Sequence, residues 1–378
     1  MLYFVYCLYE RRQMKIFILV YNLTNGGAER VAALWAKGFS LRGYQVNVVI
    51  GDDRSPVTYA IPDNVKLDSI CSHKRIKLFR AFDRIRKLRQ LICRENPDLI
   101  IGLLNSRALW AYIATLDRNI PIVNTEHNVF DRPDSAPMPF NVKVYKYFVN
   151  RLYQKVTILT QADKDFIGDK LKNVVVLPNP LAFAQIEESK LTLKKHVLLA
   201  SGRLNAWHVK GFDNLIRAWG IVKKEIDTDW VLKIAGQGTN KDLSFLRNLC
   251  EKYAVQDSTQ FIGYTSKLYE YYQEASIFVL SSRYEGFGMV LIEAMSQGCA
   301  CIACDYKGRQ KEIIPSDKEG VICPADNVEL LAEAIMKIIT NDELRQQLQR
   351  QAISRSSYYN LDKTMDRWED IINSIKSK

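Results

Sequence analysis

At 378 residues the chain is too long for one ordinary core, so two domains are the expectation. Hydrophobic residues at 47% with 25% charge set disorder aside, and no apolar run reaches the roughly 20 residues that span a bilayer. A formal net charge of +11 asks for an acidic partner: anionic lipid, nucleic acid or a phosphorylated small molecule.

The opening MLYFVYCLYERRQ is apolar but short and lacks a small-residue cleavage site, so it does not read as a secretory signal. Met14-Lys15 followed by IFILV is a more natural beginning, and residues 1–13 are expected to be an upstream extension outside the fold. Without a signal, the eight cysteines read as the reduced thiols of a cytoplasmic protein. Cys299, Cys301 and Cys304 lie close together, but GCACIACD has the pattern of a buried strand whose alternate residues face opposite ways, and its spacing fits no common zinc site.

Lys15–Val20 is the first predicted strand. The turn NLTNGGAER leads into a helix carrying Val31, Leu34 and Trp35, which stops at Gly43 before a strand at Gln45–Ile50. This strand–helix–strand unit makes a parallel sheet. Further strands are expected at Lys66–Ile70, Asp98–Leu103, Pro121–Thr125, Val156–Thr160 and Val174–Leu177, which completes one doubly wound domain over 14–180. Pro178-Asn179-Pro180 extends neither helix nor strand and marks a hinge. A second domain, 181–355, repeats the alternation with strands at His196–Ala200, Trp230–Ala235, Thr259–Ile262, Ile277–Ser281, Ala300–Ala303 and Gly320–Cys323. Residues 356–378 read as a C-terminal helix that packs back towards the N-terminal domain. The fold class is α/β, two doubly wound Rossmann-like domains facing across a cleft.

The stretch SRYEGFGMVLIEAMSQGCA carries the strongest chemical signal. After the strand Ile277–Ser281, Gly286 and Gly288 permit a tight turn, and Met289–Ser296 is helical until Gly298. The helix start offers free N–H groups to a phosphate, with Glu285 just before it and Glu293 over a turn inside it. Taken alone, Glu285 as a helix cap and Glu293 as a surface pair are equally good readings. At the end of the strand HVLLA, Arg203 and Lys210 leave a glycine-bearing loop before a helix with Phe212, Leu215, Ile216 and Trp219 on its apolar face. Two cations plus a helix N-terminus suit a diphosphate and stabilise a departing phosphate.

Arg203…Lys210-Gly211, followed by Glu285-Gly286-Phe287-Gly288 and Glu293, resembles the signature of the retaining glycosyltransferases of family 4, of GT-B fold. The likeness extends to Gly236-Gln237-Gly238, to Phe261–Tyr264 and to Gly26-Gly27-Ala28-Glu29-Arg30. It implies that Arg203 and Lys210 hold the diphosphate of a nucleotide-sugar donor. Glu285 then meets the donor sugar, helped by the backbone N–H groups of Gly286, Phe287, Gly288 and Met289. Glu293 accepts from the ribose hydroxyls, and the backbone from Ile262 to Tyr264 faces the base. Gly26 and Gly27 let the first helix approach donor and acceptor. His127 falls where the family places a histidine beside the donor sugar, as a group that orients the sugar or polarises a hydroxyl. Neighbouring Glu126 reads as supporting that histidine or as a surface charge, with the second reading favoured.

The chain departs from the family at Tyr306–Glu312, where many relatives have a Gly-Pro-like turn; Lys307 and Arg309 stand there instead, and Glu312 is left as a helix cap. No metal or other cofactor is expected. Asp52 and Asp53 are adjacent, which points their carboxylates differently, and the two cations with a helix dipole would neutralise the leaving diphosphate. Retention through same-face departure and attack is implied by the resemblance alone.

Ser72–Arg94 carries nine Lys/Arg against one Asp, with Leu78, Phe79, Phe82, Ile85, Leu88 and Ile92 at helical spacing on one side. Such a basic amphipathic helix reads as a contact with anionic membrane, or as a domain helix with a solvated basic face. Lys143–Lys155 is a second basic and aromatic segment. The expected protein is thus a peripheral enzyme of the inner membrane face, moving a hexose or N-acetylhexosamine from a UDP-sugar to a saccharide acceptor on a lipid. The alternatives are a sugar-nucleotide epimerase of similar shape and a basic non-enzymatic protein binding nucleic acid or membrane. The chain lacks any recognised nucleic-acid module, so nucleic acid is not expected as a partner.

Overall fold

The computed structural model describes residues 13–24, 26–134 and 136–377. Apart from Gln13, the expected extension at 1–13 lies outside the described residues. The chain divides into two compact units. One holds the chain up to Leu159, Asp163–Pro180 and Leu361–Lys378; the other holds Thr160–Ala162 and Leu181–Asn360.

The first unit is built on β1 (Lys15–Val20), β2 (Gln45–Ile50), β3 (Lys66–Ser69), β4 (Leu99–Leu103), β5 (Ile122–Thr125), β6 (Lys155–Ile158) and β7 (Val174–Val176). All pairings are parallel, in the order β3-β2-β1-β4-β5-β6-β7. Helices cover both faces, so the inner strands are buried on both sides and their sequences are near-continuously apolar. The order reverses between β1 and β4, which opens a crevice beyond their carboxyl ends.

The C-terminal helix Leu361–Lys376 belongs to this unit and lies against the helix Gly27–Leu41. Trp368 is fully buried and meets Trp35 edge-on at 5.1 Å between ring centroids. Gly38 makes the approach possible, because a Cβ there would sit 2.4 Å from the Met365 sulfur. The sequence reading began this helix at 356, and the structure corrects it. Asp342–Ser356 is still the preceding helix, Ser357–Tyr359 is a 3-10 turn, and buried Tyr359 packs on Phe287 while its carbonyl accepts from the Leu181 N–H. Those contacts hold 356–360 in the second unit.

The second unit is built on β8 (Lys195–Ser201), β9 (Val231–Ala235), β10 (Thr259–Gly263), β11 (Ala275–Leu280), β12 (Ala300–Asp305) and β13 (Val321–Pro324). This sheet is also wholly parallel, in the order β10-β9-β8-β11-β12-β13, and its switch point lies between β8 and β11. Its core gathers Phe212, Leu215, Ile216 and Trp219 under the sheet, the face read from the sequence. Cys299, Cys301 and Cys304 are buried at β12, where burial pushes the Cys304 thiol up to about 12 and keeps it protonated.

Two surface readings change. Helix Lys77–Glu95 does not turn one stripe inward: Leu88, Leu91 and Ile92 are buried, but Leu78, Phe79 and Phe82 are 75%, 59% and 69% exposed, and Arg84 is buried instead. Lys146 in the second basic segment is also buried, with its ammonium 3.6 Å from Glu126. No helix among the described residues is long and apolar enough to cross a membrane.

Candidate active site

In the second unit the loop after β8 is tied to the loop after β11. The Arg283 N–H donates to the Val209 carbonyl at 2.8 Å, Ser281 Oγ donates to the Lys210 carbonyl at 2.8 Å, and the Arg283 guanidinium grips Asp213 at 2.7 and 2.9 Å. Gly211 sits at the centre of this junction. Its φ of +64° is left-handed, and a Cβ would lie 1.9 Å from the Ser281 carbonyl oxygen, so only glycine fits.

The junction sets Lys210 beside Glu285. The ammonium of Lys210 pairs with Glu285 Oε1, which also accepts from Ser282 Oγ at 3.0 Å. Both side chains are mostly withdrawn from solvent, at 19% and 15% exposure, which strengthens the pair over a surface one. Glu285 is therefore neither a lone cap nor a free surface charge. Gly288 follows in the left-handed region, and the helix Met289–Ser296 starts without a side-chain cap. Its first N–H groups remain directed at whatever lies beyond the turn.

Glu293 is fully buried, not a surface pair. Its Oε2 accepts from the Tyr272 hydroxyl at 3.3 Å, and that hydroxyl is 3.3 Å from Ser201 Oγ at the end of β8. Tyr272 and Ser201 were missed from the sequence: a tyrosine within YEYYQE and a serine ending a strand carry no local signal. Arg203 is exposed and makes no ion pair among the described residues. Ile262 is half-buried and Tyr264 is 53% exposed just past β10, whose Gly263 carbonyl accepts from the Gly236 N–H at 2.9 Å. The ends of β8, β9, β10 and β11 thus meet along one edge of the sheet. The departure loop is also resolved. Asp305 accepts from the Gly308 and Gln310 N–H groups at 2.9 and 3.1 Å, and Arg309 is buried against the Tyr306 ring. The Glu312 carboxylate accepts from the backbone N–H groups of Gln161 and Ala162, which cluster with this unit, at 2.8 and 2.7 Å.

In the first unit His127 follows β5, with Nε2 3.2 Å from Thr125 Oγ1 and its ring 5.9 Å from Trp35. Burial lowers its pKa to about 4, against a smaller opposing hydrogen bond from Asn179, so the imidazole is neutral at pH 7. Glu126 is buried, which corrects the surface reading. It lies 3.6 Å from the Lys146 ammonium and accepts from Asn150 and Asn124 at 3.1 and 3.3 Å. Lys146 also donates to the Asn128 and Val129 carbonyls at 2.7 and 3.0 Å, which pins the loop that carries His127. Gly26 and Gly27 open the helix after β1; the Gly26 N–H donates to the Tyr59 hydroxyl at 3.3 Å.

Asp52 and Asp53 do not diverge as their adjacency suggested: their carboxylates and the Cys71 sulfur lie within 4.8 Å of one another. Arg54 already neutralises Asp52, with Nε 2.6 Å from Oδ1, and holds its pKa well below the usual range. Ser69 Oγ donates to Asp53 at 2.6 Å.

Two doubly wound units in one chain, each built on a wholly parallel sheet, are the architecture of the GT-B fold. Residues 183–355 match the family model for group 1 glycosyl transferases, and residues 25–183 match that for Glycosyltransferase Family 4. The chain is 30% identical over 372 residues to the amylovoran biosynthesis glycosyltransferase AmsD of Erwinia amylovora, covering 95% of this chain and 99% of that one. It is 26% identical over 364 residues to the N-acetylgalactosamine-N,N'-diacetylbacillosaminyl-diphospho-undecaprenol 4-alpha-N-acetylgalactosaminyltransferase of Campylobacter jejuni, covering 91% and 95% of the two chains. Its fold is like that of Anabaena HepE in complex with UDP, with a TM-score of 0.80 at 18% identity over 96% of this chain and 100% of that one. The chain belongs to the group 1 glycosyltransferases of family 4.

Proposed function

We propose that this enzyme moves a hexose or N-acetylhexosamine from a UDP-sugar to a lipid-linked saccharide, with retention of anomeric configuration, in the synthesis of a cell-surface polysaccharide or glycolipid. The observation that carries the reading is the Lys210–Glu285 pair, drawn together across the ends of β8 and β11 with Glu293 inside the following helix. A diphosphate competes with Glu285 for Lys210, so donor binding turns one closed ion pair into two ligand contacts. Lys210 and Arg203 then face the phosphates, and the Glu285 carboxylate with the N–H groups of Gly286–Met289 faces the sugar. As the bond from the anomeric carbon to phosphate oxygen breaks, the electron pair leaves with the diphosphate, where the two cations and the helix N-terminus offset it, while the acceptor hydroxyl oxygen bonds to that carbon from the same face and gives its proton to the departing phosphate oxygen. These groups make metal-independent transfer the proposal.

The Ser201–Tyr272–Glu293 chain suits the ribose end, because a hydroxyl entering there finds a carboxylate already oriented by a hydroxyl donor. Ile262 and Tyr264 bracket the base end. Neutral His127 orients a sugar hydroxyl, and Gly26-Gly27 leave the first helix N-terminus open. Two relatives support the acceptor class by their names, one in amylovoran biosynthesis and one acting on a diphospho-undecaprenol. The site of action proposed is the inner face of the cytoplasmic membrane, approached through helix Lys77–Glu95.

Purified protein incubated with membranes and a panel of labelled nucleotide sugars tests the reading. One UDP-sugar is expected to give a lipid-extractable product with the α or β configuration of its donor. Lys210→Ala and Glu285→Ala each should lower turnover by about 100-fold or more, the scale for losing a group that meets developing charge, while the protein stays folded by circular dichroism with a lowered melting temperature, since the remaining partner of the pair is left uncompensated. Near-normal turnover in either variant refutes the site.

A further inference from the structure

The first unit holds a second cationic group that neither the donor site nor its core requires. Tyr21 directly follows β1, and Arg107 and Trp110 lie in the helix Asn105–Ala114 that follows β4. Arg84 comes from helix Lys77–Glu95. The Arg84 guanidinium carbon is 5.4 Å from both the Tyr21 and the Trp110 ring centroids, and that of Arg107 is 4.8 and 5.4 Å from the same two. Two guanidiniums therefore share two aromatic rings at the switch point of this sheet.

Their polar atoms are only partly satisfied. Arg84 is 6% exposed, yet its Nε and Nη2 are buried with no hydrogen-bond partner, and the same holds for Nε of Arg107. Arg107 donates to the Ser106 hydroxyl through Nη1. Among the described residues no carboxylate forms an ion pair with either. Burial lowers the pKa of Arg107, helped by the neighbouring Arg84 charge, and outweighs Tyr21 and, more weakly, Glu29, which favour the charged form. Arginines kept for packing or stability are ordinarily given an acid, since a buried unpaired charge is costly and two of like sign repel. The aromatic faces offset part of that cost without supplying hydrogen-bond acceptors. What is missing is an anion with several oxygens, matching two planar donor forks.

We infer that Arg84 and Arg107 form an anion subsite in the first unit for the phosphate or diphosphate of a phosphate-bearing acceptor. The inference rests on the proposed lipid-linked acceptor and adds the group by which that acceptor is held. Helix Lys77–Glu95 serves both ends of such a molecule: Phe79 and Phe82 project outward, suited to lipid, while Arg84 projects inward to the phosphate.

The test is calorimetric titration of the full chain with inorganic pyrophosphate while saturating UDP fills the donor site. The wild type should bind pyrophosphate; Arg84→Gln and Arg107→Gln should each weaken it about tenfold or more, the scale of one lost bidentate contact, with UDP affinity unchanged. Arg84→Lys, which keeps the charge and loses the fork, should fall between. A short prenyl diphosphate bearing a sugar should follow the same order, and vesicles of phosphatidylglycerol should not. Arg84→Met should melt no lower than the wild type, because it removes an unpaired charge. Equal pyrophosphate affinity in wild type and Gln variants overturns the subsite, and a loss confined to vesicles overturns its assignment to the acceptor. If UDP itself fails to bind, the donor reading falls instead, and the same pyrophosphate comparison made in a Lys210→Ala background still decides the subsite.

Discussion

Burial holds the His127 imidazole neutral, and that makes the stability of the first unit depend on pH. In the unfolded chain histidine titrates near 6.5, and in the folded protein it titrates at about 4. Between those values the unfolded chain binds a proton that the folded chain refuses. Stability from this residue is therefore intact above about pH 6.5 and lost progressively down to about pH 4, a change on the order of 3–4 kcal/mol at most. Urea denaturation between pH 7 and 4 is expected to show a shallower loss in His127→Gln than in the wild type; parallel curves would exclude His127 as the source. A neutral imidazole at pH 7 also suits hydrogen bonding to a sugar hydroxyl better than charge neutralisation does. The buried Glu126–Lys146 pair beneath it is a different case: removal of either partner leaves the other charge uncompensated and frees the His127 loop.

At the level of elements, the most consequential packing is that of the C-terminal helix on Gly27–Leu41. Trp368 contributes a fully buried indole against Trp35 and Phe39, the latter at 5.6 Å. Trp368→Ala should cost the first unit about 3–5 kcal/mol, from lost burial and the cavity left behind. The check is a denaturant midpoint followed by tryptophan fluorescence; a change under about 1 kcal/mol would mean the helix is only loosely held. Helix Lys77–Glu95 shows the limit of periodicity as a guide. Its apolar residues were legible, but a 3.6-residue repeat does not say which side meets the sheet. Leu88, Leu91 and Ile92 took the inner side together with Arg84, and the first turns left theirs outside.

For the molecule as a whole, a net charge of +11 combined with exposed Leu78, Phe79 and Phe82 on a basic helix predicts binding to anionic bilayers that weakens with salt. Each basic residue at the surface contributes about 1 kcal/mol, and each buried aromatic side chain roughly 1.5–3 kcal/mol. The double variant Phe79→Glu, Phe82→Glu should reduce flotation with phosphatidylglycerol vesicles at least about tenfold while leaving UDP binding intact. Flotation equal to wild type would move the membrane contact elsewhere. The groove of about 810 Å³ that includes Phe140, Phe148, Lys143 and Arg151 is the next surface to test.

The sequence by itself determined the strands, the alternation and the family. Parallel strands buried on both faces read as short apolar runs, a local signal, and all the predicted strands are present with ends shifted by a residue or two. The turn Glu285-Gly286-Phe287-Gly288 and the Arg203–Lys210 loop were legible because strand, glycine turn and helix follow one another in the chain. Which polar groups meet was decided only by the tertiary structure. Sheet order brings β8 beside β11 and so pairs Lys210 with Glu285; it joins Tyr272 to Glu293 and gathers Arg84, Arg107, Tyr21 and Trp110 from separate segments. Hydrophobic period is encoded over a few residues. A polar contact at strand ends depends on how the whole sheet is wound, and a single chain read locally carries no such order.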